Sequence, residues 1–384
     1  MRLGFALEYS LGHVTHAENL KGRLARDRGV HPTYVDLPYH RTPGWWSALP
    51  GVRSNWSLRA SLGAYLALRR RAESLDGALF HTQVTSLLST GLMGRLPSVV
   101  SLDATPLQYD QLGAYYGHTP SASARVEELK RRLNQRAFHQ ARHLVTWSQW
   151  AKDSLVADYG VPPEKVTVIP PGIDTGRWQF PARHPRREGG LNILFVGGDF
   201  QRKGGDTLLE AFRSLPVSIR ARLHVVTMTT GVLDDEPGVT VHRGLTPNSK
   251  TLLQLYADAD LFVFPTRADC LPLAVMEALA AGLPVVTTRV AALPEAVTHG
   301  ETGLLISPDD AAGMAEAIAV LAEDPGLRAR LGAAARAAAL SDFDAATNYR
   351  KLVSTVKEAA SGHTGARTMP RRHSCASPGA PNQG

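Results

Sequence analysis

The alternation of short apolar runs with helix-length stretches constrains this 384-residue chain more than any other feature. The runs "RLGFAL" (2–7), "DGALF" (76–80), "SVVSL" (98–102) and "HLVTWS" (143–148) are interleaved with helical stretches such as 57–74 and 124–142. The series continues through "VTVIP" (166–170), "LNILFVGG" (191–198), "LHVVT" (223–227), "DLFVFP" (260–265) and "PVVTT" (284–288), with further helical stretches at 205–215 and 249–258. Runs this short and this apolar read as strands buried on both faces. Their alternation with helices requires parallel sheets covered by helices on each side.

One hydrophobic core is too small for a chain of this length, so two domains are expected. The Pro-, Arg- and Gly-rich stretch "FPARHPRREGG" (180–190) interrupts the pattern just before the strongest strand. The predicted organisation is an α/β fold of two doubly wound domains facing a cleft, with residues 1–185 in the first and 186–345 in the second. A C-terminal helix over 346–360 is expected to pack back toward the first domain. The Gly/Pro/Ser-rich basic stretch 361–384 reads as a disordered tail. Strand C-terminal ends and helix N-termini of both halves would line the cleft.

Composition narrows the class. The hydrophobic fraction of 43% and charged fraction of 20% are those of a soluble globular protein. A formal net charge of +7 favours anionic partners such as nucleotides or an acidic membrane face. The basic residues are scattered or lie in the tail, which argues against nucleic acid. Two cysteines, Cys270 and Cys375, support neither a disulfide framework nor a Cys-based metal site, so a cytoplasmic location is expected. No secretory-type segment and no apolar stretch of spanning length is present. The basic helix over 124–143 is either a solvated face or a contact for the anionic inner face of a membrane.

Two stretches carry candidate chemistry. "NILFVGG" runs into "DFQRKGGDTLLEAF", a strand, a glycine turn and a helix with Arg202 and Lys203 between them. Backbone amides and the positive helix end, near Gly197, suit a phosphate, with Lys203 supplying a full charge. An ordinary βα turn with exposed cations would read the same way. The second stretch is "RADCLPLAVMEALAAGLPVV" (267–286), an apolar segment in which a loop carries Asp269 and a helix from about Leu273, ended by Gly282, carries Glu277 in its second turn. Carboxylates accept paired hydrogen bonds from vicinal hydroxyls, so sugar and ribose are natural ligands. A helix-cap Asp and a solvent-facing Glu are the alternative. The spelling "DAD" at 258–260 is not a metal motif here, because Asp258 ends a helix and Asp260 opens a strand. The histidines show no metal-ligand spacing.

Residues 265–286 resemble the signature of the family 4 retaining glycosyltransferases: an acidic residue, seven positions, a glutamate, then an Ala-rich helix, Gly-x-Pro and a Val-Val strand. "VTWSQWAKDSLVADYGVPPEKVTVIPPGIDTGRW" (145–178), "LFVGGDFQRKGGDTLLEAF" and "LPEAVTHGETGLLISPDD" (293–310) are similar to three further segments of that family, in the family's order. The resemblance implies two Rossmann-like domains in the B-type glycosyltransferase architecture. It implies that Glu277 holds the ribose of a nucleotide-sugar, Asp269 contacts the donor sugar, and Lys203 holds the diphosphate beside amides near Leu271 and Leu273. Gly12 would stand where the family's N-terminal glycine loop approaches the diphosphate. Asp103 falls where the family has a histidine, and His81 is a second acceptor-side candidate. Pro272 replaces a glycine and removes an amide, Gly198 replaces an arginine whose charge Arg202 would supply, and Asp269 is one methylene shorter than the family's glutamate.

The expected activity is transfer of a sugar from a nucleotide-sugar to a hydroxyl of a saccharide, lipid or small-molecule acceptor, with no metal and no other cofactor. The competing expectations are an epimerase or hydrolase of the same fold, and a non-catalytic sugar-nucleotide-binding subunit. A dinucleotide-dependent dehydrogenase is disfavoured because no Gly-x-Gly-x-x-Gly opens either half.

Overall fold

A computed structural model describes residues 1–10, 12–39, 52, 55–117, 123–180, 190–231, 233 and 235–362. Most of the interdomain stretch 180–190 and the tail from 363 onward lie outside the described residues.

The first half forms a parallel sheet of β1 (Arg2–Tyr9), β2 (His31–Pro38), β3 (Gly77–His81), β4 (Ser98–Leu102), β5 (His143–Thr146) and β6 (Val166–Val168), in the order β2-β1-β3-β4-β5-β6. The second forms β7 (Leu191–Val196), β8 (Ala221–Val226), β9 (Val239–His242), β10 (Leu261–Phe264), β11 (Val285–Thr288) and β12 (Gly303–Ile306), in the order β12-β11-β10-β7-β8-β9. Helices of the first half are α1 (His13–Leu24), α2 (Trp56–Arg69), α3 (Thr90–Met93), α4 (Pro106–Gln111), α5 (Ala124–Gln140) and α6 (Gln149–Tyr159). Those that follow are α7 (Gly205–Arg213), α8 (Lys250–Asp258), α9 (Leu273–Ala280), α10 (Leu293–Ala296), α11 (Ala311–Glu323), α12 (Pro325–Asp342) and α13 (Ala345–Ser361).

Burial explains which strands the sequence advertises. Every residue of β3, β4, β10 and β11 is buried, as covered parallel strands require. Sequence periodicity passes over β2, β9 and β12, and all three are sheet edges. Their half-exposed residues, "HPTYVDLP" in β2 and "VTVH" in β9, need no continuous apolar run.

Alternation along β1 separates two cores. Leu3, Phe5 and Leu7 pack with Leu20 of α1 and with Leu352 and Val356 of α13, whereas Ala6 packs with Phe138 of α5 on the other face. The last helix therefore belongs to the first half's core. Its chain crosses back beside Gly172, where an added Cβ would lie 2.3 Å from the Ala345 Cα, so only glycine permits the crossing. Ile173 N donates to Phe343 O at 2.7 Å, Ala345 N to Ile173 O at 2.9 Å, and Thr175 Oγ1 to Asp344 Oδ1 at 2.8 Å.

The halves also meet across the cleft. The first two amides of α6 donate to the two carboxylate oxygens of Glu295 on α10, Gln149 N at 2.7 Å and Trp150 N at 2.7 Å, while Ser148 Oγ accepts from Ala151 N. A negative charge at a helix N-terminus is stabilised both by those amides and by the helix dipole. This single side chain therefore caps one half from the other. Replacing Glu295 with Ala should speed hydrogen exchange of the Gln149 and Trp150 amides by about tenfold or more, because it removes two charge-assisted hydrogen bonds. Amides in the middle of α6 should not change. NMR-detected exchange reads the difference, and unchanged protection at Gln149 would remove the cap from the closed arrangement.

Candidate active site

The turn after β7 places the first cation. Gly197 N continues the sheet by donating to Val226 O at 2.9 Å, and Asp199 Oδ1 then closes the turn by accepting from Arg202 N at 3.1 Å. Gly204 opens α7 at φ +73°, with an imagined Cβ only 1.9 Å from Pro265 O. That position tolerates no side chain, and the turn is pressed onto the end of β10. A Cβ on Gly197 would come within 3.0 Å of the Lys203 stem. Gly197 thus makes room for the lysine side chain, while the lack of a Cβ on Gly12 meets nothing within 4 Å and leaves open space at the start of α1.

The loop after β10 supplies the partner. The Arg267 guanidinium reaches Asp206 at 2.7 and 3.0 Å and Asp309 at 2.6 Å, tying that loop to α7 and to the end of β12. Arg202 Nη1 donates to Ala268 O at 2.9 Å. Held by these two arginines, Asp269 forms an ion pair with Lys203. Burial pushes the Lys203 pKa well down, and the neighbouring Arg202 charge adds to it. Cys270 and Asp199 pull the other way without reversing the direction.

Pro272 is the N-cap residue of α9 and has no side-chain cap, which leaves the first amides of that helix without a side-chain partner. Glu277 lies one turn further in and is 6% exposed; its Oε2 accepts from Tyr256 OH at 3.2 Å. Trp178 packs edge-on against Tyr256 with ring centroids 4.8 Å apart. Burial raises the Glu277 carboxyl to about 7, with Tyr256 pulling slightly the other way. A glutamate excluded from water by Val275, Met276 and Ala278 has no role on a solvent face.

Across the cleft, Asp103 stands at the end of β4, 3.6 Å from His13 Nε2. His13 Nδ1 is 3.1 Å from His81 Nε2, and Trp147 stacks on the His81 ring at 5.5 Å. His81 is fully buried and His16 nearly so; burial pushes both imidazoles down, His16 to about 3. Both are neutral at physiological pH, and the partly exposed member of the cluster is His13. Glu8 is buried at the end of β1 and accepts from Ser10 and from Thr82 Oγ1. Two contacts bridge the halves at this level. The Cys270 thiol hydrogen-bonds Asp103, and burial together with that carboxylate pushes the thiol well up. The Tyr116 ring lies 4.4 Å from the Arg202 guanidinium.

The structure thus brings Lys203, Asp269, Arg202, Leu271 and Leu273 to one wall of the cleft, with Glu277 behind them, and Asp103 and Gly12 to the opposite wall. His81 reaches the cleft only through His13. Sequence reading missed His13, Tyr116 and Arg267. His13 adjoins the glycine that was singled out, and Arg267 begins the quoted signature, but only tertiary contacts reveal their partners. A larger hollow of about 970 Å³ beyond α7 is lined by Asp206, Glu210, Asp235 and Glu236. Among its described lining residues the one cation, Arg213, already pairs with Glu236, so the hollow does not suit a diphosphate.

Two facing parallel sheets with a cleft between their strand ends define the B-type glycosyltransferase architecture. Solved structures agree: sucrose-phosphate synthase from Thermosynechococcus elongatus superposes with a TM-score of 0.75 at 17% identity, covering 94% of this chain and 100% of that one. Anabaena HepE in complex with UDP and glucose gives 0.68 at 18% identity, over 93% and 100%. The model of Glycosyltransferase Family 4 matches residues 12–177 and that of Glycosyl transferases group 1 matches residues 190–324. The chain belongs to glycosyltransferase family 4. Among similar proteins, glycogen synthase of Mycobacterium tuberculosis is 34% identical over 213 residues, covering 52% of this chain and 50% of that protein. A D-inositol 3-phosphate glycosyltransferase of Acidothermus cellulolyticus is 34% identical over 224 residues, covering 51% and 49%. The chain spans about half the length of the relatives it matches.

Proposed function

We propose that this chain transfers a sugar from a nucleotide-sugar donor to a hydroxyl of a saccharide, lipid or small-molecule acceptor. The observation that carries this reading is the Lys203–Asp269 ion pair beside the free amide end of α9, with Glu277 buried one turn behind. In this reading the diphosphate takes the Lys203 ammonium and the amides near Leu271 and Leu273. Asp269 turns to the donor sugar, and Glu277 accepts from the ribose hydroxyls. The crystallised relative holding UDP and glucose in the same fold, and relatives named for glycosyl transfer, support the donor class.

As the diphosphate departs, its growing negative charge is met by Lys203 and by amides already oriented toward it. We assign transfer with retention, the acceptor attacking from the departing diphosphate's own face. Asp103 stands on the opposite wall, where an acceptor hydroxyl would approach, and it occupies the position of the family's histidine. With Lys203 supplying the positive charge, turnover requires no metal and should survive EDTA.

A thermal-shift screen of UDP-, GDP- and ADP-sugars identifies the donor. For the matching nucleoside diphosphate, Glu277 gives a signature. Near pH 6.5 its carboxyl, with a pKa of about 7, is largely protonated. Ribose hydroxyls donating to it favour the charged form and lower that pKa, so binding should release a proton. Calorimetry in buffers of different ionisation enthalpy should detect this release in the wild type and not in Glu277→Gln. Equal proton release by both would return Glu277 to a packing role, and free sugar formed without an acceptor would favour a hydrolase.

No helix among the described residues is long and apolar enough to cross a membrane. We infer a peripheral, cytoplasmic placement through α5. Val126, Leu129 and Leu133 are exposed on one stripe of that helix, 42%, 58% and 38% accessible, and Arg132 and Arg136 flank the stripe. An apolar stripe edged by cations suits an anionic bilayer surface. Leu129→Glu should abolish co-sedimentation with phosphatidylglycerol vesicles, and undiminished sedimentation would exclude α5 as the contact.

A further inference from the structure

The far end of α1 carries a feature that sugar transfer does not use. Between the turn joining α1 to β2 and the first turns of α13 lies a pocket of about 470 Å³. Arg23, Arg26, Arg28, Arg350 and Lys357 line it, with Asp27 as the one carboxylate. That carboxylate is already satisfied, accepting from Gly29 N at 2.8 Å and Lys357 Nζ at 3.1 Å. The guanidinium groups of Arg23, Arg26, Arg28 and Arg350 hydrogen-bond to none of the described residues. Arg23 feels the Asp27 charge and Arg350 that of Asp344, but five cations around one concavity outnumber these carboxylates and focus a positive potential inside it. The volume falls in the range of small-molecule sites, and the planar, forked guanidinium matches phosphate oxygens two at a time.

We propose that this pocket binds a small soluble anion carrying phosphate. Two observations separate it from the contacts already assigned. The pocket lies at the C-terminal end of α1, whereas Gly12 and His13 open that helix at the cleft. Twelve residues at 1.5 Å each put the two ends roughly 18 Å apart. The pocket also lies on the sheet face covered by α1 and α13, opposite the face that α5 covers. A bilayer lying against α5 cannot reach it, so the anion comes from solution and not from a headgroup. Because α13 starts where the chain crosses back between the halves, an anion held by Arg26 and Arg350 would tie the crossing helix to the first half.

The test uses the full chain and inorganic pyrophosphate. Deuterium exchange is followed in peptides covering the α1–β2 turn and the first turns of α13. At ten times the Kd, exchange in both should slow by about tenfold. The slowing should persist in Lys203→Ala, which separates this pocket from the proposed donor site whether or not that assignment holds. It should vanish in Arg26→Glu/Arg350→Glu; both side chains are exposed, so the double variant folds and keeps its melting temperature. No protection by pyrophosphate would overturn the proposal. So would equal slowing by sodium chloride at matched ionic strength, persistence in the double variant, or protection by phosphatidylglycerol vesicles alone.

Discussion

The pairing of Lys203 with Asp269 is the interaction on which the cleft depends. The two side chains are only 12% and 14% exposed, and charges so largely removed from water need the partner that each supplies to the other. Much of the second half serves to hold the two together. Gly204 presses the phosphate turn onto the end of β10, Arg267 ties the following loop to Asp206 and Asp309, and Arg202 grips Ala268 O. In the proposed reading a diphosphate would meet Lys203 and the start of α9 on this wall, and Asp269 would turn to the sugar hydroxyls.

The opposite wall is organised by different physics. Burial keeps His16 and His81 neutral, with His81 stacked on Trp147 and His16 tilted against it, and this uncharged cluster lies beside His13, which approaches Asp103. Asp103 touches Cys270, Tyr116 covers Arg202, and Glu295 caps α6 from the other half. These contacts all cross the cleft, and a change in any one would be felt on both walls. Pro272 fits this scheme. It has no amide to donate, and it fixes the entry of α9 at φ −74°.

Much of this was legible in the sequence because buried parallel strands and glycine turns leave local signatures. "SVVSL" marks β4 residue for residue, and "GLPVV" marks the end of α9 at Gly282, φ +70°. Asp269 and Glu277 stood out as charges in apolar company, and Lys203 as a cation in a glycine turn. What stayed hidden depends on distant partners or on edges. β2 and β9 are partly exposed and have weak apolar patterns, and β12 is an edge strand of only four residues. His13 gains meaning only from Asp103 and His81, Tyr116 only from Arg202, and Glu295 only from the start of α6. That Lys203 and Asp269 would meet each other, rather than wait separately for a ligand, is likewise a fact of tertiary geometry.

The central claim is that Lys203 receives the donor's diphosphate. Titration calorimetry comparing a nucleoside diphosphate with its parent nucleoside tests it most directly, on the wild type, Lys203→Ala and the charge-balanced Lys203→Ala/Asp269→Asn. A charge-assisted hydrogen bond is worth about 1.5–3 kcal/mol, so the wild type should prefer the diphosphate by roughly ten- to a hundredfold. Both variants should lose that preference while still binding the nucleoside. An undiminished preference for the diphosphate in the folded double variant would contradict the account.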